Sequence, residues 1–384
     1  MTAEQILSTR PSPYHSDVLI IGGGIIGLCT ALACAKDGLS VRLVERAQPG
    51  DGATHAAVGM LAPSFEAATH IDHAMGHLTR DAFGLWREFV LALEAASGVC
   101  LAAQFRGIVE IARSNEELVQ LDQRVKLLKA NDQRPLLLSP KELTALEPMV
   151  GAVGFGALLA PEEGHVDPTQ LVKALRIELA ARNVDIKTCT DIETVISQSD
   201  NLIGVTTRGD HSFTAEHVVI AAGVLAPNLW LEGAGSPLIP VKGQLVSIQM
   251  KTQNLRRIIR AGSIYICPKG GNRIIIGASE EPEVDTLDVQ SATISALLDK
   301  AEALVPGLQQ GDVVTSWAGL RPATPDRLPI IGRSEKVANV YYATGHYRHG
   351  ILLGPLTGDL IARMIRGQTV PDYVQQFTSD RFID

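Results

Sequence analysis

Cysteine is scarce: the 384 residues hold five, Cys29, Cys34, Cys100, Cys189 and Cys267, an odd number with no CxxC pair. That excludes a disulfide framework and a cysteine zinc site, and fits reduced thiols in a cytoplasmic protein. Charge of one sign is nowhere gathered into a long block, and the net charge is −8. Neither a charged interaction tail nor the basic stripe of a nucleic-acid binder is therefore expected. No internal repeat and no low-complexity tract is present. There is also no Ser-His-Asp spacing, no metal-ligand cluster and no catalytic cysteine context. His70, His73 and His77 lie three and four residues apart on an expected helix, but no acid completes a ligand pattern. Solvated or structural roles are expected of them. Any chemistry would then belong to a cofactor, with the protein supplying orientation and electrostatics.

Apolar residues make up 46% of the chain and charged residues 20%, a globular composition with enough length for a large core and two domains. The apolar run 18–34 resembles a signal or membrane segment, yet five of its residues are Gly or Thr and its glycines fall in a phosphate-binding pattern. Residues 1–16 are polar, with one arginine. They read as a flexible leader on a protein not inserted in a membrane.

Residues 17–21 (DVLII) read as a buried parallel strand, 25–36 as a helix ended by Gly38, and 40–44 as a second strand closed by Glu45. Between the first strand and the helix, Gly22, Gly24 and Gly27 form GxGxxG, with Ile25 and Ile26 opening the helix. Gly22 permits the tight turn, Gly24 the approach of a pyrophosphate, and Gly27 close helix–strand packing. Glu45 lies 18 residues past Gly27, where a carboxylate reaches adenosine ribose hydroxyls. Arg46 is an adenosine contact or a solvated surface arginine. Three features favour FAD over NAD. The fingerprint leads the chain, a second apolar strand ends in glycine at 217–223 (HVVIAAG), and no second GxGxxG exists for a nicotinamide site. Ala222 and Gly223 close that strand beside the cofactor.

Residues 48–63 (QPGDGATHAAVGMLAP) are small and unlike a regular helix or strand. Long irregular loops in compact domains are often functional. Ala56, Ala57, Gly59 and Met60 are expected to run along the flavin ring, where small residues allow close backbone approach. His55 is a polar contact or a covalent attachment point. At the other end of the chain, 343–353 (ATGHYRHGILL) reads as a strand end, a glycine turn, an arginine and a second glycine opening an apolar helix. A helix N-terminus offers unpaired N–H groups and a positive dipole end, placing the backbone of Gly350, Ile351 and Leu352 near a planar ligand.

The middle of the chain predicts helices at 71–96, 115–130, 139–147, 168–182 and 287–304, with strands at 104–112, 154–159, 241–249, 264–268, 273–278 and several within 185–223. Ser139, Pro140 and Glu142 make a capping box with proline in the first turn. Ile192, within 190–196, is expected against the adenine. The order of elements gives an α/β chain: a Rossmann-type FAD-binding domain at 17–97, 162–240 and 318–384, interleaved with an α+β substrate domain at 98–161 and 241–317 on an antiparallel or mixed sheet.

Arg321 lies in SWAGLRPAT (316–324), between a Gly-Leu turn and Pro322, with no other charge in the segment. An arginine in an apolar setting needs an anionic partner, either a substrate carboxylate held by two parallel hydrogen bonds or a salt bridge to Asp326. Tyr265, on an expected strand, is a second donor to such a carboxylate or a packing residue. Arg348 is a substrate or entrance residue, or a contact to the flavin domain.

The segments DVLIIGGGIIGL, VRLVER, AAVGMLAP, HVDP, VVIAAG, PVKGQ, SWAGLRPAT and GHYRHGILL, in this order over almost the whole chain, resemble the glycine oxidase family of thiamine biosynthesis, within the D-amino-acid-oxidase-like flavoproteins. The resemblance implies non-covalent FAD, with Glu45 on the ribose and Gly22, Gly24 and Gly27 at the pyrophosphate. It implies Arg321 and Tyr265 on the carboxylate of a small amino acid, and hydride transfer from Cα to flavin N5. Reduced flavin then gives hydrogen peroxide with O2, and no protein base is needed. An FAD-dependent dehydrogenase passing electrons to a quinone stays open as an alternative. A cytoplasmic homo-oligomer is expected, without nucleic-acid partners. Three positions depart from the family pattern: His349 stands where Asn is frequent, Ser263 where histidine occurs, and Glu280 where an apolar residue is expected.

Overall fold

The computed structural model of the chain describes residues 14–66, 74–131, 133–151, 154–199, 202–209, 211–225, 227–233, 235–252 and 254–383. Two large sheets organise the molecule. The first has eight strands. Its centre is five parallel strands in the order Val340–Thr344, Ser212–Ile220, His15–Ile21, Val41–Val44, Asp185–Lys187. Ile330–Arg333 adds antiparallel at one edge, while Leu202–Thr207 and Ile192–Ser199 form an antiparallel extension off Ser212–Ile220. Parallel strands covered on both faces read as continuous apolar runs, and Val18, Leu19 and Ile20 are fully buried. The first strand begins at His15, so the segment expected as a leader already contributes His15 and Ser16 to the sheet; residues 1–13 lie outside the described residues.

The helices Ile25–Lys36 and Gly350–Ile365 pack against each other in the same core cluster. Their closeness comes from missing side chains. A Cβ on Gly358 would stand 2.6 Å from the Cys29 carbonyl carbon and oxygen, and one on Gly354 would reach 3.0 Å from the Ile25 side chain. Each helix follows the carboxyl end of a parallel strand, His15–Ile21 or Val340–Thr344, so both N-termini open at the same edge of the sheet. That edge is where ligands bind in α/β sheets.

The second sheet has nine strands and is mixed. Its order is Glu281–Pro282, Ile239–Gln249, Arg273–Gly277, Ile264–Pro268, Ile258–Ala261, Ile108–Ala112, Gly156–Ala160, Leu136–Leu138. Only Ile258–Ala261 with Ile108–Ala112 is parallel. Asp312–Ala323 pairs along the whole of Ile239–Gln249 and stays in this sheet past position 318, where the domain crossing was expected. The segment 316–324 is therefore largely strand interior, without the turn expected at Gly319 and Leu320. The strand expected from 104 begins at Ile108, with Gln104 making an isolated bridge to His165. Helix Ser291–Leu304 buries its apolar side against one face of the sheet.

Local signals account for several helices directly. Asn115–Ala130 starts at Ser114, whose hydroxyl accepts from the Glu117 amide. Pro140–Leu146 carries the capping box between Ser139 and Glu142. His70 and His73 lie outside the described residues; His77 is on Ala74–Ser97, bonded to Arg80 and stacked on Tyr373. No three His, Cys, Asp or Glu side chains gather as a metal site among the described residues. No helix among them is long and apolar enough to cross a membrane. All five cysteines are free thiols.

Candidate active site

A cavity of about 420 Å3 lies between the two sheets, with walls drawn from the N-terminal fingerprint, the loop after Glu45, the C-terminal turn and the second sheet. At one end, Gly22 adopts φ +111°, and its amide donates to the Val44 carbonyl at 2.8 Å. A Cβ there would collide with Ala221. Gly27 is a packing glycine, because a Cβ would overlap the Gly22 carbonyl. Gly24, at the N-cap of Ile25–Lys36, has only the Thr54 hydroxyl nearby, at 3.5 Å. Gly223, φ +63°, has nothing within 4 Å of a Cβ position among the described residues, its chain neighbours aside. Glycines of the second kind border open space, the shape a pyrophosphate and its ribose need.

Glu45 is oriented by backbone: Gly23 N–H donates to Oε2 at 2.7 Å and Ala47 N–H to Oε1 at 2.8 Å. Arg46 is exposed at the same end. Ile192 is not there. It is 5% exposed in a core cluster with Leu19, Ile21 and Val44, and it does not line the cavity.

Loop 48–63 is more structured than expected. It contains a helical turn, Ala53–Ala56, and a short strand, Met60–Leu61, and ends at the turn Pro63–Glu66. The Thr54 hydroxyl accepts from the Ile25 amide at 2.9 Å, and the Trp317 indole donates to the Ala56 carbonyl at 3.2 Å. Gly59 has φ +84° and sits against the Val166 carbonyl. Lys269, 5% exposed, donates to the carbonyls of Val58 at 2.6 Å and Val166 at 3.0 Å and meets His165 Nδ1 at 3.1 Å. Burial pushes the His165 imidazole down to about 3, with Lys269 adding to it. Ala56, Ala57, Val58, Gly59 and Met60 all line the cavity, as does His55.

Opposite them, Gly350 opens its helix with Ile351 and Leu352 buried, and the Trp86 indole donates to the Leu352 carbonyl at 2.9 Å. Beyond its own helix and chain neighbours, the nearest atom of the described residues to a Gly350 Cβ would be His346 Cβ, 3.9 Å away, so the helix N-terminus is open to a planar group. His346 is 2% exposed and shares a hydrogen bond with Thr357 at 3.1 Å. Burial, with His349 nearby, lowers it to about 3. It faces the cavity as a neutral ring.

The far end is built on the second sheet. Arg321 lies flat across Gly243, where a Cβ would stand 2.6 Å from Arg321 Cζ, and its Nη1 donates to the Ser279 carbonyl at 3.3 Å. Asp326, the alternative salt-bridge partner, pairs instead with Arg381 at 2.9 Å. Tyr265 is paired across strands with Gly277, and its hydroxyl occupies the space a Gly277 side chain would take, 2.5 Å from the Cβ position. Glu280 closes this end. Its carboxylate accepts from the Tyr347 hydroxyl at 2.7 Å and from Arg348 Nη2 at 3.0 Å, with Arg327 Nη2 at 3.5 Å. Burial opposes its ionisation, but the Tyr347 hydroxyl and the guanidinium groups of Arg348, Arg327 and Arg321 prevail and hold it below the usual carboxylate range.

The cavity thus gathers Gly22, Gly24, Ile25, Ile26, Glu45, Arg46, Ala56, Ala57, Gly59, Met60, Ala222, Gly223, Tyr265, Arg321, Arg348, Gly350, Ile351 and Leu352. Gly27 packs behind it and Ile192 stands apart. Sequence reasoning missed Thr54, Gly243, Ser279, His346 and Tyr347. Gly243 alone carried a signal, since a glycine inside an apolar strand marks a close approach.

An extended nucleotide cradle running into a carboxylate-sized cationic corner, between two helix N-termini, defines a flavin-binding α/β protein. The chain belongs to the family described as FAD dependent oxidoreductase, whose model matches residues 17–364. It is an FAD-dependent enzyme. It is 32% identical to "Glycine oxidase" of Geobacillus kaustophilus over 373 residues, 96% of this chain and 98% of that one. It is 33% identical to "Bifunctional protein ThiO/ThiG" of Trichormus variabilis over 371 residues, 95% of this chain and 55% of that longer protein. The crystal structure of glycine oxidase from Geobacillus kaustophilus superposes with a TM-score of 0.92, at 30% identity over 97% of this chain and 100% of the other.

Proposed function

We propose that this enzyme oxidises the amine of a small amino acid, glycine or a near relative such as sarcosine or a small D-amino acid, using FAD held without a covalent bond and O2 as acceptor. The observation that carries the reading is Arg321. Its guanidinium has five N–H donors, faces the cavity, and makes one backbone hydrogen bond and no ion pair among the described residues. A substrate carboxylate completes it with two parallel bonds, and the Tyr265 hydroxyl, which lines the same cavity from the strand Ile264–Pro268, supplies a third donor.

Bound FAD supplies the two-electron acceptor for oxidation at the substrate's Cα. Gly22, Gly24 and Gly223 would border its phosphates, Glu45 would accept from its ribose, and 56–60 with the Gly350 helix N-terminus would face its ring. The dipole of that N-terminus favours negative charge, and neutral His346 adds no competing cation. Arg321 orients the substrate, and the loop around Val58 excludes water from the ring side. The resemblance to the thiamine-biosynthesis enzymes extends the reading to that pathway, supported by the alignment with the ThiO/ThiG protein. The free thiols suit a reducing, cytoplasmic setting, and the homo-oligomer rests on the family resemblance alone.

Anaerobic titration of the purified holoenzyme with glycine, sarcosine, D-alanine and L-proline tests the reading. Bleaching of the flavin that air reverses with peroxide release is the expected result; bleaching that air reverses slowly would shift the assignment to a dehydrogenase. Arg321→Ala is expected to retain FAD and raise KM roughly a hundredfold, the loss of two charge-assisted hydrogen bonds. Unchanged KM in that variant would remove Arg321 from the substrate site.

A further inference from the structure

We propose that Glu280 sets the substrate's charge: it makes the enzyme select amino acids with one carboxylate and reject those with two. The inference deepens the amino-acid reading above and rests on it. The argument starts from what surrounds the substrate corner. Arg321 and Arg348 line the cavity there, and Arg327 stands beside Glu280 outside it; such a cluster by itself is a site for a dicarboxylate. Glu280 changes that count. It is one residue from Ser279, whose carbonyl fixes Arg321, and it lines the same cavity.

Its two oxygens are spent on the other cations. Oε2 takes Arg348 Nη2 at 3.0 Å, while Oε1 faces Arg327 Nη2 at 3.5 Å and accepts from Tyr347 at 2.7 Å. Arg348 Nη2 also reaches the Tyr347 hydroxyl at 2.9 Å, and both Arg348 and Arg327 lie over the Tyr347 ring. Arg321 is left as the anchor for the first carboxylate. A second carboxylate would meet the Glu280 charge beside cations already balanced by it. The side chain is 36% exposed, so its removal leaves no buried orphan charge and no core cavity. An apolar residue, expected here from the family pattern, would leave Arg348 and Arg327 without this counter-charge.

The test compares wild type, Glu280→Gln and the double variant Glu280→Gln with Arg348→Gln, each as FAD-loaded enzyme. Glutamine keeps the size and one acceptor but loses the charge. Binding is read without turnover, from flavin absorbance changes on titrating acetate and malonate. Turnover is read on pairs that differ in charge at equal size, D-asparagine against D-aspartate, and on sarcosine against iminodiacetate. The malonate-to-acetate affinity ratio is expected to rise about tenfold in Glu280→Gln and to fall back in the double variant, with the turnover pairs following. A ratio within about twofold of wild type, with amino-acid turnover intact, overturns the proposal and leaves the amino-acid reading standing. A shifted ratio with no turnover of any amino acid supports charge selection and overturns the amino-acid reading instead.

Discussion

At Gly243 a missing side chain is what lets an arginine lie flat in the cavity. The residue sits within Ile239–Gln249, where its φ is that of an ordinary strand rather than the left-handed region. Nothing in the backbone demands glycine there. What demands it is the Arg321 guanidinium, whose Cζ lies 2.6 Å from the Cβ position. That neighbour is the tip of a flexible side chain, so an alanine would move the arginine and leave the strand intact. Glycine also weakens a strand interior by roughly 0.5–1 kcal/mol relative to alanine. Gly243→Ala is therefore expected to keep or slightly raise the melting temperature while raising KM about tenfold, with FAD content unchanged. Steady-state kinetics beside a thermal melt decides it. A lowered melting temperature with unchanged KM would mean the glycine serves the fold and not the arginine.

Among elements, the contact between Ile25–Lys36 and Gly350–Ile365 has the most direct effect on the site, because both helices present their N-termini to it. Gly354 and Gly358 set their spacing, but unequally. The obstacle to a side chain at 358 is Cys29 backbone, at 2.6 Å; at 354 it is the Ile25 side chain, at 3.0 Å. Backbone cannot rotate away. Gly358→Ala is expected to cost about 1–3 kcal/mol as overpacking and to weaken FAD retention, whereas Gly354→Ala should be the milder of the two. Denaturant midpoints and FAD release for the pair check the order, and equal effects would refute it. The same scale explains what was legible beforehand. The helix with a local start signal at Ser139 and Glu142 was readable from sequence alone, as was Asn115–Ala130 from its amphipathic pattern. Loop 48–63 was not, because its helical turn is four residues long and is held from afar, by Trp317 on Ala56 and by Ile25 on Thr54. Gly319 and Pro322 on either side of Leu320 and Arg321 made a strand interior look like a turn. Proline is tolerated in an edge strand, and Asp312–Ala323 pairs on one side only. Ile192 fits a strand pattern equally well at the adenine or in the core, and only tertiary pairing put its strand in the outer antiparallel extension.

For the molecule as a whole, histidines kept neutral by burial contribute to acid stability, His346 and His165 foremost and His217 in the same direction. His346 beside the cavity and His165 behind the flavin-side loop are both held at about 3, chiefly by burial, against an unfolded value near 6.5. Between those limits the unfolded chain binds protons that the folded chain refuses, so stability rises with pH through the window and is fully present above about 6.5. Paired carboxylates such as Glu280 and Asp326, also held low, act in the same direction but only below about pH 4, where unfolded carboxylates titrate. The two contributions therefore separate on the pH axis. Each histidine adds a slope of about 1.4 kcal/mol per pH unit where its unfolded form is fully protonated. Urea unfolding from pH 7.5 to 4.5 should show stability falling from just below pH 6.5, with uptake of at least about two protons on unfolding near pH 5, one each for His346 and His165. His346→Gln, which can keep the hydrogen bond to Thr357, should reduce that uptake by about one proton without touching the carboxylate region. A wild-type profile that stays flat down to pH 5 would show that these rings accept protons in the folded state, and the neutral wall beside the Gly350 helix N-terminus would then be lost as an element of the site.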